Sequence, residues 1–378
     1  MTEVLTTGFV SADSHVNEPR DLWRDNLPAR LREQAMQGIE ARDDGGWEVV
    51  LEGEHIAKAG QTEEERLSVL DPETRFKVMR EEGIAAECIF PTIGLYVWML
   101  KDAEGGKYSC RIYNDWLHDT MQKHSQRFCC AGLIPTWTVE DAIAEVQYVK
   151  DLGLRAVMLP TVPANDLTKQ GAVSWPNWNH SNWEPLWSAI EETGLPIVMH
   201  QGTGHDMVWY RGPGATIANV IATQSMAPRT ATLLATSGVL ERHPDLHFVF
   251  VEYNAGWLGW TMETIDFYNQ AFARYGPVKT GKPRLYPELP EPASFYMKRQ
   301  IHATFQDDET CLVNLPRSGA ESLMWGHDYP HEEGTYPNSA STVSRLSELL
   351  DPETQRLVFR GNAERIFGFD PVLLDTPV

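Results

Sequence analysis

The chain is short of cations, short of thiols and without a long apolar run, and each shortage removes a class of function. Lys and Arg number 32 against 53 Asp and Glu, a net charge of −21. A field of that sign repels phosphate backbones and anionic headgroups, so nucleic acid and membranes are not expected partners. An anionic substrate would need local positive charge, which a bound metal supplies. The five cysteines, Cys88, Cys110, Cys129, Cys130 and Cys311, are odd in number and show no CxxC spacing. That excludes a zinc-ribbon pattern and leaves reduced core residues as the reading. Nowhere do eighteen apolar residues run together, and Met1-Thr2-Glu3-Val4-Leu5 is not a basic region leading into an apolar one. The expectation is a cytoplasmic protein.

What is present is regular. At 378 residues and 42% hydrophobic, the chain can bury a large core, and α/β barrels often run this long as one unit. One domain over 1–378 is expected, with 20–70 as an insertion or cap carrying a hairpin that turns at Glu52-Gly53. Asp71-Pro72 reads as a helix start closed by Gly83. Short apolar strands near 8, 86, 128, 155, 195, 247, 301 and 322 alternate with amphipathic helices, such as the one carrying Ala142, Ile143, Val146 and Val149. The alternation predicts βα units on a parallel sheet, and eight strands predict a (β/α)8 barrel of the TIM type.

The chemistry-bearing residues fall where those strands end. Gly8–Ala12 runs into Asp13, His15 and Glu18; Pro196–Met199 ends in His200; His247–Val251 ends in Glu252; Ser322–Trp325 opens into Gly326-His327-Asp328-Tyr329-Pro330-His331. A charge at the end of a buried strand must be paired or must bind a metal. A solvated acidic turn is the alternative for the last stretch, and a turn cap is the alternative for Asp13. In a barrel these exits converge on one mouth, and imidazole and carboxylate donors without cysteine suit zinc, iron or manganese.

The Asp-Ser-His-x-x-Glu-Pro start, Met199-His200-Gln201-Gly202-Thr203-Gly204, the strand ending at Glu252, Gly326–His331 and the closing Asn362-Ala363-Glu364-Arg365-Ile366-Phe367-Gly368 together resemble the amidohydrolase superfamily. The closer resemblance is to the amidohydrolase-related branch that contains the aminocarboxymuconate-semialdehyde decarboxylases. That resemblance implies a first-strand His-x-His pair, a His on each of the fifth and sixth strands, and an eighth-strand Asp. His15, His200 and Asp328 match. Asp13 and Glu252 stand where His is expected. The implied activity is metal-dependent hydrolysis or non-oxidative decarboxylation of a small organic substrate, with Asp328 and His200 catalytic.

The candidate ligands, Asp13, His15, Glu18, His200, Glu252, Asp328 and His331, exceed what one tetrahedral zinc uses. The cofactor reading is therefore a divalent transition metal, zinc or iron, as one ion or two. Two irons would make a monooxygenase that hydroxylates an apolar cyclic substrate. A non-catalytic, metal-stabilised binding protein is the third reading. Trp175 and Trp178 in the long loop after the fourth strand, and His205, Trp209, Arg211 and Arg229 after the fifth, are candidates for the substrate pocket. Homo-oligomerisation is compatible with so Trp-rich a barrel, but no interface is legible.

Overall fold

In the computed structural model, residues 8–43, 46–59, 67–164, 177–203, 210–274 and 287–378 are described. In chain order the strands are β1 (Phe9–Ser11), β2 (His15–Val16), β3 (Met36–Ala41), β4 (Trp47–Leu51), β5 (Glu54–Ala59), β6 (Ile84–Pro91), β7 (Phe128–Leu133), β8 (Ala156–Met158), β9 (Ile197–His200), β10 (Phe248–Val251), β11 (Ile301–Phe305) and β12 (Leu323–Trp325). All eight expected strands form. They pair in the order β1-β6-β7-β8-β9-β10-β11-β12, with β2 extending β1 along β6.

The last strand returns to the first. Ala12 N donates to Trp325 O (2.9 Å), Asp328 N to Asp13 O (2.9 Å) and His15 N to Tyr329 O (2.7 Å). The barrel of eight parallel strands is thereby nearly closed, with the helices outside it. Continuously buried β6, β7, β9, β10 and β11 account for the unbroken apolar runs in the sequence. No helix among the described residues is long and apolar enough to cross a membrane.

The capping signals act as read. The Asp71 carboxylate accepts from Thr74 N (3.0 Å) ahead of helix Pro72–Glu82, which ends at Gly83 in the left-handed region. In the closing segment Asn362 Nδ2 donates to the carbonyls of Ala320 and Leu323 (2.8 Å each), tying helix Asn362–Phe367 to β12.

The hairpin in 20–70 is present, with Glu52 and Gly53 at positive φ in its turn. Its third, antiparallel strand, β3, was not legible. Met36-Gln37-Gly38-Ile39 has little β-branching and carries a register shift between Met36 and Gly38. This sheet rests on helix Ala103–Thr120. Met36 N donates to Ser109 Oγ (3.2 Å), and a Cβ on Gly105 would meet Gln34 O at 2.1 Å.

Beneath the mouth lies a buried ion pair. Arg75 Nε and Nη2 reach Glu87 Oε2 at 3.0 and 2.9 Å; the same guanidinium donates to His15 O (2.7 Å) and Ser14 Oγ (3.0 Å). On its other side Glu87 Oε1 lies 3.3 Å from His327 Nε2. Burial alone would raise the Glu87 carboxyl, but Arg75 and His327 outweigh it and hold the group at about 2. One network thus joins helix Pro72–Glu82, β2, β6 and the exit of β12.

Two outcomes follow from these contacts. Helix propensity alone would make Gly105→Ala stabilising by about 1 kcal/mol. The close approach of Gln34 O reverses the sign, to a loss of about 1–3 kcal/mol in chemical denaturation; a gain would contradict the packing. For Glu87 the folded pKa lies below the unfolded value of 4.5, so its contribution is complete above pH 4.5 and is lost as pH falls toward 2. That contribution is about 3 kcal/mol at neutral pH. Glu87→Gln strands a buried guanidinium and should cost about 3–5 kcal/mol. It should also flatten the stability profile across that acid window, and an unchanged profile would remove Glu87 from the account.

Candidate metal centre

Asp13 sits just past β1, fully buried with Ser14, His15 and Glu18. Its approach to β12 depends on Gly326, where a Cβ would lie 2.3 Å from the Asp13 Cβ. Both Asp13 carboxylate oxygens are buried, with no hydrogen-bond partner among the described residues. A buried carboxylate left so is costly unless a cation faces it.

Two imidazoles complete that face. His15 Nδ1 lies 2.8 Å from Pro91 O, and His200 Nδ1 lies 2.7 Å from Gln201 O. A carbonyl only accepts, so each Nδ1 carries the hydrogen and each Nε2 turns its lone pair to the centre. This is how metal-binding histidines are usually oriented. The two Nε2 atoms stand 3.1 Å apart. Two facing lone pairs repel, and a shared cation makes the arrangement favourable. Burial, then the neighbouring His331 and His200 rings, push the His15 pKa well down, which keeps it a neutral donor.

Asp328 and Glu252 approach from the exits of β12 and β10. Both have left-handed backbone, φ 56° and 68°, as does Asn254 at 54°. Such conformations cost about 1–3 kcal/mol each in a non-glycine residue, and persist where surrounding contacts impose them. For Asp328 those contacts are the Asp13 carbonyl, Gln306 Nε2 on Oδ2 (2.9 Å) and His331 Nδ1 on Oδ1 (2.9 Å). For Glu252 they are Thr304 Oγ1, which accepts from its backbone N–H (2.9 Å), and Gln201 Nε2, which donates to Oε1 (3.2 Å).

The remaining spacings are short. His15 Nε2 is 3.3 Å from Asp328 Oδ1 and 3.5 Å from Asp13 Oδ1, while His200 Nε2 is 3.6 Å from Asp13 Oδ1 and 3.5 Å from Glu252 Oε2. Asp13, His15 and His200 offer ligand atoms within 4.8 Å of one another; so do His15, Asp328 and His331, and so do Glu252, Asp328 and Glu333. Burial, then the charges of Asp328, Asp13 and Glu333, raise the Glu252 carboxyl well above its usual range. At His331 burial opposes protonation, but the charge and hydrogen bond of Asp328 win and raise it. Its Nε2 meets Thr92 Oγ1 at 3.2 Å.

Of the seven sequence-predicted ligands, six converge on this mouth. Glu18 does not join them. Its two oxygens accept from Ile93 N (2.9 Å) and Gly94 N (2.8 Å), so it anchors the loop after β6. Trp178 is fully buried, donates to Pro160 O (3.0 Å) and packs on Trp183 and Trp187, which leaves it no surface for a substrate. Arg211 is exposed ahead of helix Ala215–Gln224. Arg229 lines a groove between outer helices and not the mouth. Trp175, His205 and Trp209 lie outside the described residues. Reading the sequence missed Gln201, Gln306 and Glu333, although the two glutamines each follow a strand's last residue. It also missed Arg75 and Glu87; a Glu within the apolar run Ala86–Phe90 was the available signal.

Comparison with known proteins agrees with this architecture. The amidohydrolase family model matches residues 12–369, whereas no curated protein matches. Among solved structures, an amidohydrolase from Mycobacterium avium subsp. paratuberculosis K-10 is 17% identical with a TM-score of 0.76, covering 96% of this chain and 99% of that one. The 5-carboxyvanillate decarboxylase of Sphingomonas paucimobilis is 18% identical with a TM-score of 0.70, covering 96% and 100%. A dihydroxybenzoic acid decarboxylase from Polaromonas sp. JS666, with bound manganese and an inhibitor, is 16% identical with a TM-score of 0.65, covering 96% and 97%. At these identities the structural likeness is one of fold. With nearly its whole length matched by the family model, the chain belongs to the amidohydrolase family of enzymes.

Proposed function

We propose that this enzyme removes carbon dioxide from a small aromatic acid without oxidation, holding one divalent cation with Asp13, His15, His200 and Asp328. The supporting observation is the buried Asp13 carboxylate, neither oxygen hydrogen-bonded among the described residues, beside two Nε2 atoms 3.1 Å apart. The donor set of two carboxylates and two imidazoles suits manganese, iron or zinc, and the manganese-bound Polaromonas decarboxylase of the same fold favours the first. A cation held by these residues would supply positive charge for the substrate's oxygens and for the negative charge that develops as the carboxylate departs.

The chain's own groups handle the proton. When the bond to the carboxylate carbon breaks, its electron pair stays on the ring carbon, which must then take a proton. The Asp328–His331 pair carries one at the mouth, on the hydrogen bond from His331 Nδ1 to Asp328 Oδ1. Gln306 fixes the other Asp328 oxygen and so its orientation. The His331 side chain is 20% exposed, which lets solvent restore the proton. Hydrolysis of a small substrate would use the same groups, with Asp328 taking a proton from water.

A second reading rests on Glu252, Asp328 and Glu333, which share a ligand-sized space. A second cation held there would relieve the crowding of charge that raises Glu252. Two irons would then make the protein a monooxygenase acting on an apolar cyclic substrate.

The test is metal analysis followed by turnover. Protein grown with ample metal should carry one divalent ion per chain. Asp13→Asn should weaken binding by more than the ~10–100-fold typical of an outer hydrogen-bond partner. Carbon dioxide release from a panel of hydroxybenzoates should fall by about 10²–10⁴-fold in His331→Gln at unchanged metal content. Metal-free wild-type protein would overturn the proposal. Two irons per chain and dioxygen consumption would establish the second reading in its place.

A further inference from the structure

The turn after β6 touches two imidazoles of the mouth with consecutive residues. Pro91 O accepts from His15 Nδ1 (2.8 Å), and Thr92 Oγ1 lies 3.2 Å from His331 Nε2. The next two residues are pinned from behind, because Ile93 N (2.9 Å) and Gly94 N (2.8 Å) both donate to the fully buried Glu18 carboxylate. Hydrogen bonds to an ionised acceptor are the strong ones. Packing leaves the turn no slack: a Cβ on Gly94 would lie 2.8 Å from Pro91 Cβ, 3.0 Å from Glu18 Oε1 and 3.2 Å from Leu133 Cδ1. The short helical turn Gly94–Met99 that follows is tied to the exit of β7 by Trp98 Nε1, which donates to Ile134 O (2.9 Å). The backbone at Thr92 is therefore fixed on both sides, and β-branching restricts χ1, so the hydroxyl has a set direction.

The His331 ring needs such a hold. Its face lies against the His15 ring, with centroids 4.1 Å apart and planes 35° apart. That contact sets the plane of the ring but not which edge faces Asp328. A half-turn about Cβ–Cγ preserves the plane and carries both nitrogens away from their partners, and this torsion is soft and roughly two-fold in histidine. The hydrogen bonds select the orientation. Asp328 Oδ1 accepts from Nδ1 (2.9 Å), and the Thr92 hydroxyl, which both donates and accepts, meets Nε2. We propose, on the reading of His331 as the proton carrier, that Thr92 is a positioning residue: its hydroxyl holds the ring so that Nδ1 stays on Asp328, and Glu18 keeps Thr92 in reach through the amides of Ile93 and Gly94. Glu18 then has two dependents, His15 through Pro91 O and His331 through Thr92. Thr92 has one.

Three variants separate these links. Thr92→Val keeps the shape of a partly exposed side chain and removes the hydroxyl. Melting temperature, manganese affinity and KM should be kept, while kcat for carbon dioxide release falls by about 10–100-fold, less than the ~10²–10⁴-fold that a proton-transfer group itself contributes. Thr92→Ser keeps the hydroxyl and should recover most of that loss. Glu18→Gln turns a donor toward an amide, and should lower kcat and also weaken manganese binding by about 10-fold, the low end for a group acting through a ligand's partner. Crystals of Thr92→Val give a readout that needs no turnover: the His331 ring should be turned from its wild-type orientation, with Nδ1 off Asp328. If the wild type releases no carbon dioxide, the decarboxylase reading fails and the ring alone decides, a turned ring supporting the role of Thr92 and an unmoved ring overturning it. With an active wild type, a kcat indifferent to Thr92→Val, or an equal loss in Thr92→Ser, would also overturn it.

Discussion

The structure depends on a seam where the first and last strands of the barrel bring like charges together. Asp328 N donates to Asp13 O, and Gly326 gives Asp13 the room to lie against β12. The seam therefore places two buried carboxylates beside two imidazoles whose lone pairs also converge. Among the described residues, no donor hydrogen-bonds the Asp13 oxygens. In a low-dielectric interior such a cluster is stable only with compensating positive charge, and Asp13, His15 and His200 offer ligand atoms within 4.8 Å of one another.

The surroundings hold that space open. Arg75, paired with Glu87, grips the His15 carbonyl and Ser14 from below. Gln306, His331 and Gln201 orient the carboxylates from the sides. The left-handed backbone at Glu252 and Asp328 is the cost of aiming both carboxylates inward from the ends of parallel strands. The Nε2 atoms face one another and not the bulk solvent because the Pro91 and Gln201 carbonyls hold the two Nδ1–H groups.

Much of the fold was legible because parallel strands buried on both faces are nearly pure apolar runs, and helices between them keep a 3.6-residue period. The positions of Asp13, His15, His200, Glu252 and Asp328 at strand exits followed from the same pattern. What sequence could not supply was direction. Glu18 lies three residues past His15 yet points to the backbone amides after β6. Trp178 turns from the expected pocket into an outer aromatic cluster. The Arg75–Glu87 pair joins residues twelve apart through a fold-level contact. Strand β3, of low intrinsic propensity, forms by antiparallel pairing with β4 and is tied at Met36 to helix Ala103–Thr120. On helix Ala215–Gln224 an apolar stripe has the period of a core-facing helix and is exposed, a difference only three-dimensional structure reveals.

The central claim is that Asp13, His15, His200 and Asp328 enclose one cation. Anomalous diffraction from crystals of the manganese-loaded protein tests it directly. The account predicts a single peak at the barrel mouth, within bonding distance of a carboxylate oxygen of each Asp and the Nε2 of each His. A peak bound by Glu18, or no peak at the mouth in crystals that hold manganese elsewhere, would contradict it.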